Sequence, residues 1–265
     1  MTESYSSAPP SETPTEFVRS LQRGLSVIQA FSREHQRLSL SQVAEITGMT
    51  RATARRFLLT LEHLGYVGSE GRYFYLKPRV LQLGYAYLSS LSVAEVAQSH
   101  LEELAERMHE SCSASVLDSE DVVYVARAAT NRIMAIGLSV GTRLPAYCTS
   151  MGRVLLAALP KSELDNYLEG ANLSPRTSQT VFTAPKLINV LDQVRDQGWC
   201  AQDQELELGV RSIAVPIRSS NGATIAAINI SAHAARVTMA ELTQDFLPEL
   251  QSCRDGIELD LVGRV

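Results

Sequence analysis

Between Ser39 and Leu64 the apolar residues fall into two helical blocks separated by a short polar break, SLSQVAEITGMTRATARRFLLTLEHL. Ser39 and Gln42 have the S-x-x-Q spacing of a capping box, which predicts a helix starting there. Gly48 can adopt the left-handed backbone that ends it, and Thr50 can cap a second helix. In that second helix Ala54, Phe57, Leu58, Leu61 and Leu64 share one face, while Ala52, Arg55, Arg56, Leu59 and His63 point elsewhere. Tyr66-Val67-Gly68, a turn at Ser69-Glu70-Gly71 and Arg72 to Leu76 then predict a hairpin. A preceding helix is expected over Leu21 to Phe31, capped by Ser20, with Leu21, Leu25 and Ile28 toward the core. Helix, glycine turn, helix and hairpin together predict a winged helix-turn-helix over residues 16–77.

A linker helix is expected over residues 78–95, with Pro78 in its first turn. Leu81, Gly84, Tyr85 and Leu88 form one apolar stripe of it, and Val80, Leu83 and Tyr87 a second. A helix apolar on two sides must be covered on two sides, either by a second subunit or between domains of one chain. Residues 96–265 then mix helices with hairpin-linked strands. Leu101, Leu104, Ala105 and Met108 mark an amphipathic helix, followed by strands at Ala114–Leu117 and Val122–Arg127 around a turn at Asp118–Asp121. A further strand is expected at Ile133–Val140, and helices at Ser150–Leu159, Ser162–Glu169 and Pro185–Gln197, the last stopped by Gly198. Strands at Val210–Ile217 and Thr224–Ala232 flank a Ser-Ser-Asn-Gly turn, and Thr238 with Glu241 makes a second capping box for a helix that Pro248 should kink. The pattern predicts an α+β fold, a winged helix-turn-helix joined by a linker helix to an α/β domain with an antiparallel sheet.

Charge sharpens the division. The 265 residues carry a net charge of −5, yet residues 16–80 hold ten Lys and Arg against five Asp and Glu, and the remainder is acidic. Positive charge confined to the helix-turn-helix is the electrostatic footprint of a DNA reader with an acidic companion. Residues 1–15, rich in Ser, Thr and Pro, predict a disordered tail. Four widely spaced cysteines without a C-x-x-C pair suggest reduced thiols. With no signal peptide and no 18-residue apolar run, a cytoplasmic protein without membrane association is expected.

Arginine bonds guanine or phosphate bidentately, and Arg51, Arg55 and Arg56 crowd the start of the second helix with no acid before Glu62. Together with Thr53, the wing's Arg72, and Arg19 and Arg23 of the first helix they are the candidate contacts to double-stranded DNA. For a small molecule, the strand 224–232 places Ile225, Ala227, Asn229 and Ser231 on one face, an apolar wall with two orienting polar groups. The run from Pro145 to Gly152 enters a helix whose free N–H groups, with Thr149 or Ser150, could take a carboxylate, flanked by Arg143 and Arg153. Asp203, Glu205 and Glu207 beside Arg211 read either as pocket groups or as a surface ion-pair cluster. Motifs for nucleotide binding, zinc peptidases and serine hydrolases are missing, so a non-enzyme is expected; a Cys148–histidine nucleophile is the enzyme alternative.

These residues resemble the IclR family of bacterial transcriptional regulators from Phe17 to Leu261. The resemblance is carried by SLQRGLSVIQAFS, LSLSQVAEITGMTRATARRFLLTLEHLGYV, LPAYCTSMGRVLLAAL, GWCAQDQELELGVRSIAVPI and AAINIS. The longer runs are similar to the subgroup that controls aromatic-acid breakdown through the β-ketoadipate pathway. The resemblance implies a homodimer, often paired into a tetramer, with a GAF-like effector domain that binds a small organic acid, here protocatechuate or β-ketoadipate. It implies a pocket lined by Cys148, Thr149, Ser150, Met151, Asp203, Val210, Ser212, Asn229 and Ser231. Some relatives carry cysteine at the position of Ser212 and serine at that of Asn229, so the ligand should differ. Some members hold a metal in this domain, but no spacing here demands one, and no cofactor is expected. An oligomerisation scaffold is the alternative role for this domain.

Overall fold

The structure, a computed structural model, describes residues 17–32, 34–88, 92–129 and 138–262. It divides into two compact units at Ala86/Tyr87.

The first unit begins with α1 (Arg19–Gln29), then β1 (Leu38–Ser39), α2 (Leu40–Ile46), α3 (Arg51–His63), β2 (Val67–Glu70) and β3 (Tyr73–Leu76). The local signals operate as expected. Ser39 and Gln42 close the capping box, Gly48 is left-handed at φ 64°, and Thr50 Oγ1 accepts the N–H of Thr53 at 3.2 Å. The wing is a three-stranded antiparallel sheet in the order β1-β3-β2, and its turn lies at Gly71-Arg72, one residue later than the sequence suggests. Val27, Leu38, Val43, Ala54, Leu58, Leu61 and Val67 form the core.

Several expectations fail here. α1 starts at Arg19 without a side-chain cap, so Ser20 lies inside it. Leu21 and Leu25 are 63% and 47% exposed, because the helix turns Val27 and Ile28 inward. Gly24 lies on the inward side, beside the Phe57 ring, 3.9 Å from where a β-carbon would stand. Leu64 likewise is exposed, as it caps the C-terminus of α3 beyond the last buried turn. The expected linker helix is a 3-10 turn at Pro78–Val80 and α4 (Leu81–Leu88), and the next helix, α5 (Ser92–Met108), already begins at Ser92.

The second unit is built on a six-stranded antiparallel sheet. In chain order it contains α5, β4 (Ser111–Asp118), β5 (Asp121–Ala128), β6 (Arg143–Pro145), α6 (Ser150–Ala157), α7 (Lys161–Gly170), α8 (Ala184–Gln197), β7 (Cys200–Asp203), β8 (Val210–Arg218) and β9 (Thr224–His233). A short α9 (Met239–Glu241) leads to α10 (Leu247–Val262). The strand order is β6-β5-β4-β9-β8-β7. Residues 133–137 of the strand expected at Ile133–Val140 lie outside the described residues, and 138–140 are not strand. β7 is short and of mixed polarity, and only its pairing with β8 makes it a strand.

Strand alternation sends side chains to two different cores. Cys112, Ala114, Val116, Ile213, Val215, Ile228 and Ile230 pack with Leu101 and Leu104 of α5 and with Leu250 and Ile257 of α10. Ala214 and Ala227 face Met151, Leu155, Leu156 and, beyond them, Leu187 and Leu191 of α8. Each fully buried Leu or Ile contributes about 1.5–3 kcal/mol, so both cores hold the sheet between helices. Gly198 stops α8 at φ 78°. Pro248 has no N–H for the carbonyl of Gln244, and the chain just before it, Leu242–Phe246, winds as a π turn, a local irregularity of the kind that accompanies helix kinks.

Candidate ligand cavity and nucleic-acid surface

In the first unit Arg51, Arg55 and Arg56 are exposed along α3, and none forms an ion pair among the described residues. Their neighbours explain the availability. Glu62, the first acid of the helix, is bonded to Ser69 Oγ, and Glu70 is bonded to Arg37 at 2.6 Å. Arg23 joins Gln22, Ser26, Gly48, Thr50 and Thr53 around one hollow between α1 and the start of α3, where the positive end of the helix dipole favours an anion. Gln22, Ser26 and Thr47 of this hollow were missed by sequence reasoning; their only signal is spacing from Arg23 on α1 and from Gly48 at the turn. Arg19 is exposed at the α1 start but does not line the hollow. Arg72 lies over the Tyr73 ring, 5.1 Å from its centroid, and donates to its hydroxyl at 2.9 Å.

In the second unit a cavity opens where the start of α6 meets the ends of β7, β8 and β9. Its empty volume, open mouth included, is about 530 Å³. The strand register builds one wall, because Gln202, Ser212 and Ser231 stand side by side across three strands. Asn229 lies one inward position along β9 and donates to Ser231 Oγ at 3.0 Å. Thr149, Ser150 and Met151 close the opposite side, and the turn from Glu205 to Val210 closes a third.

The turn Ala146–Cys148 folds back against the start of α6 because Gly152 has no side chain: a β-carbon there would lie 2.2 Å from the carbonyl oxygen of Ala146. Thr149 Oγ1 accepts the Gly152 N–H at 3.2 Å, and the Thr149 carbonyl accepts that of Arg153 at 3.0 Å. The N–H groups of Ser150 and Met151 therefore remain for a ligand. Among the described residues, four buried side-chain atoms lack a hydrogen-bond partner: Ser150 Oγ, Gln202 Nε2, Glu207 Oε2 and Asn229 Oδ1. All four residues line this cavity. Leaving such groups unpaired costs about 1–3 kcal/mol each, and their convergence marks a polar site rather than an accident of packing.

Of the expected site residues, Thr149, Ser150, Met151, Val210, Ser212, Asn229 and Ser231 come together here. Cys148 and Asp203 do not line the cavity. The Cys148 thiol faces the carbonyl of Pro145, and burial pushes its pKa up to about 11, so it is held as the unreactive thiol. Asp203 points to Arg211, which holds its carboxyl below the usual carboxylate range through a 2.6 Å bond. The two flanking arginines are also engaged elsewhere. Arg143 pairs with Asp118 and Asp121 at the surface. Arg153, 3% exposed in its side chain, forms two 2.6 Å bonds to Glu205 and a third to the carbonyl of Tyr147. Among the described residues no lysine or arginine lines the cavity, and no group of three His, Cys, Asp or Glu is placed to hold a metal ion.

Gln202, Glu205, Leu206 and Glu207 were not among the pocket positions expected from the sequence, although Glu205 and Glu207 were weighed. The three acids around Arg211 separate: Asp203 pairs with Arg211, Glu205 with Arg153, and Glu207 faces the cavity. Neighbouring β4 also repeats serine at 111, 113 and 115 on its α6 side, a Ser-x-Ser-x-Ser signal that marks this sheet face as polar.

Comparison with known proteins follows the same division. Residues 20–71 match the IclR helix-turn-helix domain, and residues 85–259 match the bacterial transcriptional regulator IclR C-terminal domain. The Pca regulon regulatory protein of Pseudomonas putida is 50% identical over 249 residues, which cover 94% of this chain and 86% of that protein. The crystal structure of a candidate transcriptional regulator from Rhodococcus sp. RHA1 is 53% identical, covers 94% of this chain and all of the other, and superposes with a TM-score of 0.84. The inducer-binding domain of a double mutant of the PobR transcription factor from Acinetobacter, in complex with 3-hydroxybenzoic acid, is 36% identical. That match covers 62% of this chain and 96% of the domain, at a TM-score of 0.59. The chain belongs to the IclR family of bacterial transcriptional regulators.

Proposed function

We propose that this chain is a ligand-responsive regulator of aromatic-acid catabolic genes, and that its effector acid sits in the cavity at the start of α6. The observation that carries the reading is the convergence of four partnerless buried polar atoms beside two free helix N-terminal N–H groups. A carboxylate there would satisfy the Ser150 and Met151 N–H groups and the Ser150 hydroxyl together. The Pca regulon relative and the hydroxybenzoate complex support an aromatic or keto acid, protocatechuate or β-ketoadipate, as the effector class. Exposed Arg51, Arg55 and Arg56, with Thr53, Arg23, Arg19 and Arg72, are the proposed contacts to operator DNA.

Two chains would present two such surfaces. α1 and the two residues before it expose Phe17, Val18, Leu21 and Leu25, apolar surface that supports a homodimer or tetramer. No helix among the described residues is long and apolar enough to cross a membrane; the proposed cytoplasmic location rests on the helix-turn-helix match and its operator DNA. A ligand acts as a switch only through different affinities for two arrangements of the protein. The test is fluorescence anisotropy with operator DNA, with and without saturating acid, beside calorimetry of the acid alone. Binding of an acid that alters operator affinity is the expected result. Identical operator binding and identical transcription at saturating acid would overturn the switch.

A further inference from the structure

We infer that Glu207 is a specificity-determining residue that accepts a hydrogen bond from a ring hydroxyl of the effector, so that the cavity selects hydroxylated aromatic monoacids over open-chain diacids. This rests on the effector cavity proposed above and narrows its ligand.

The cavity presents two kinds of unpaired group. Ser150, with its free N–H and hydroxyl, and the Gln202 amide nitrogen can donate. Glu207 Oε2 and Asn229 Oδ1 accept. Ser150, Gln202 and Asn229 are at least 96% buried, so water does not freely replace a ligand there. An amide can be turned over to exchange donor and acceptor, but a carboxylate only accepts. Glu207 is therefore the group whose demand on a ligand is unambiguous: it requires a donor.

The backbone under Glu207 is held in place. The turn that carries it is bracketed by two left-handed residues, Gln204 at φ 59° and Gly209 at φ 87°. Gln204 Oε1 accepts the Gly209 N–H at 2.9 Å, and the Glu207 carbonyl accepts that of Val210 at 3.3 Å. Thr177 and Thr180 donate to the carbonyls of Gln204 and Glu205 at 2.7 and 2.6 Å. The neighbouring acid, Glu205, is neutralised by Arg153, so among the described residues Glu207 is the acid lining the cavity that has no ion pair.

A ligand that sets its carboxylate on the α6 start fills the same cavity that Glu207 lines. A phenolic hydroxyl there donates to Glu207, whereas a second carboxylate offers no proton and is repelled at short range in a partly desolvated site. A site built around a hydroxyl also rejects the analogue that lacks it, since its own acceptor is then left unpaired.

Calorimetry on the full-length protein with 3,4-dihydroxybenzoate, 4-hydroxybenzoate, benzoate and adipate tests this. The wild type should bind at least one hydroxybenzoate about tenfold or more tighter than benzoate or adipate. Glu207→Ala should shrink the hydroxybenzoate-to-benzoate ratio toward one, with hydroxybenzoate weakened and benzoate, no longer opposed by an unpaired acceptor, bound at least as tightly as by the wild type. Glu207→Gln, of nearly the same shape, should raise adipate affinity by removing the repulsion. Adipate binding as tightly as hydroxybenzoate, or Glu207→Ala weakening every acid by the same factor, would overturn the inference while leaving the effector cavity intact. Absence of binding by all four acids would instead refute the cavity as an effector site, and the role of Glu207 with it.

Discussion

Replacing one partner of the Arg153–Glu205 pair should unfold the larger unit far more readily than replacing both. The pair is bidentate at 2.6 Å, with side chains 3% and 11% exposed, so neither charge can fall back on bulk water. Arg153→Met strands the Glu205 carboxylate, and Glu205→Met strands the guanidinium. An uncompensated buried charge costs about 3–5 kcal/mol. The double variant strands no charge. It loses only the bond from Arg153 to the Tyr147 carbonyl and that from the Val181 N–H to Glu205. Left unpaired these groups cost about 1–3 kcal/mol each, and each single variant already bears one of them beside its stranded charge.

Trp199 is the single tryptophan of the chain and lies beside β7, so its emission follows unfolding of this unit alone. For a unit of this size ~1 kcal/mol moves the thermal midpoint by ~2–4 °C. Each single variant should therefore melt about 6–20 °C lower, and the double variant should melt above both. Burial also shields the pair from salt, so the differences should persist at 0.5 M NaCl, where the Debye length is below ~8 Å. Single variants costing under ~1 kcal/mol, with additive effects, would show a solvated pair and refute the argument.

Arg55→Ala or Arg56→Ala should weaken operator binding by ~1–3 kcal/mol with relaxed sequence preference if it reads a base. A phosphate contact would instead weaken all DNA alike and reduce the salt slope by about one; unaltered affinity and slope for both variants would remove α3 from the interface. Gly152→Ala forces α6 away from the Ala146 carbonyl, since a contact of 2.2 Å must open by about 1 Å to an ordinary distance. Overpacking of this kind costs about 1–3 kcal/mol, and an unchanged melting point together with unchanged acid binding would contradict the close approach. All four thiols are buried, with Cys148 pushed up to about 11, Cys200 and Cys253 up to about 12, and Cys112 higher still. Because the thiolate is the reacting form, a disulfide reagent at pH 8 should label the native chain slowly and all four thiols promptly in denaturant; rapid native labelling would expose at least one.

The elements legible in the sequence were those whose signal lies within a few residues. The capping boxes at Ser39 and Thr238 and the cap at Thr50 depend on side chains three positions from the backbone they satisfy, and the stops at Gly48 and Gly198 on the glycine's own left-handed backbone. Tertiary partners set what was misread. The phase of α1 turns on Gly24 admitting the Phe57 ring, 33 positions on, and no periodicity within α1 reveals that. β7 is a strand because β8 pairs with it. Asn229 and Ser231 pointed to the cavity through alternation alone, whereas Glu207 could not be told from Glu205 and Asp203 until Arg153, 52 residues before Glu205, and Arg211 had taken the other two. Arg153 looked like a ligand group because its buried partner was invisible.

The sheet order carries a consequence for biosynthesis. The central ladder joins Ser111–Ser115 of β4 to Ala227–Ser231 of β9, so it cannot form until the ribosome has made nearly the whole chain. Contacts of such separation are slow to close, while the helical first unit depends on local ones. At roughly 5–20 residues per second, the stretch from Ala86 to His233 takes roughly 7–30 s to translate. The arginine-bearing α3 and its wing can thus be complete on a nascent chain before the cavity at the start of α6 has its second wall. For that interval the reader of DNA exists without the part that informs it.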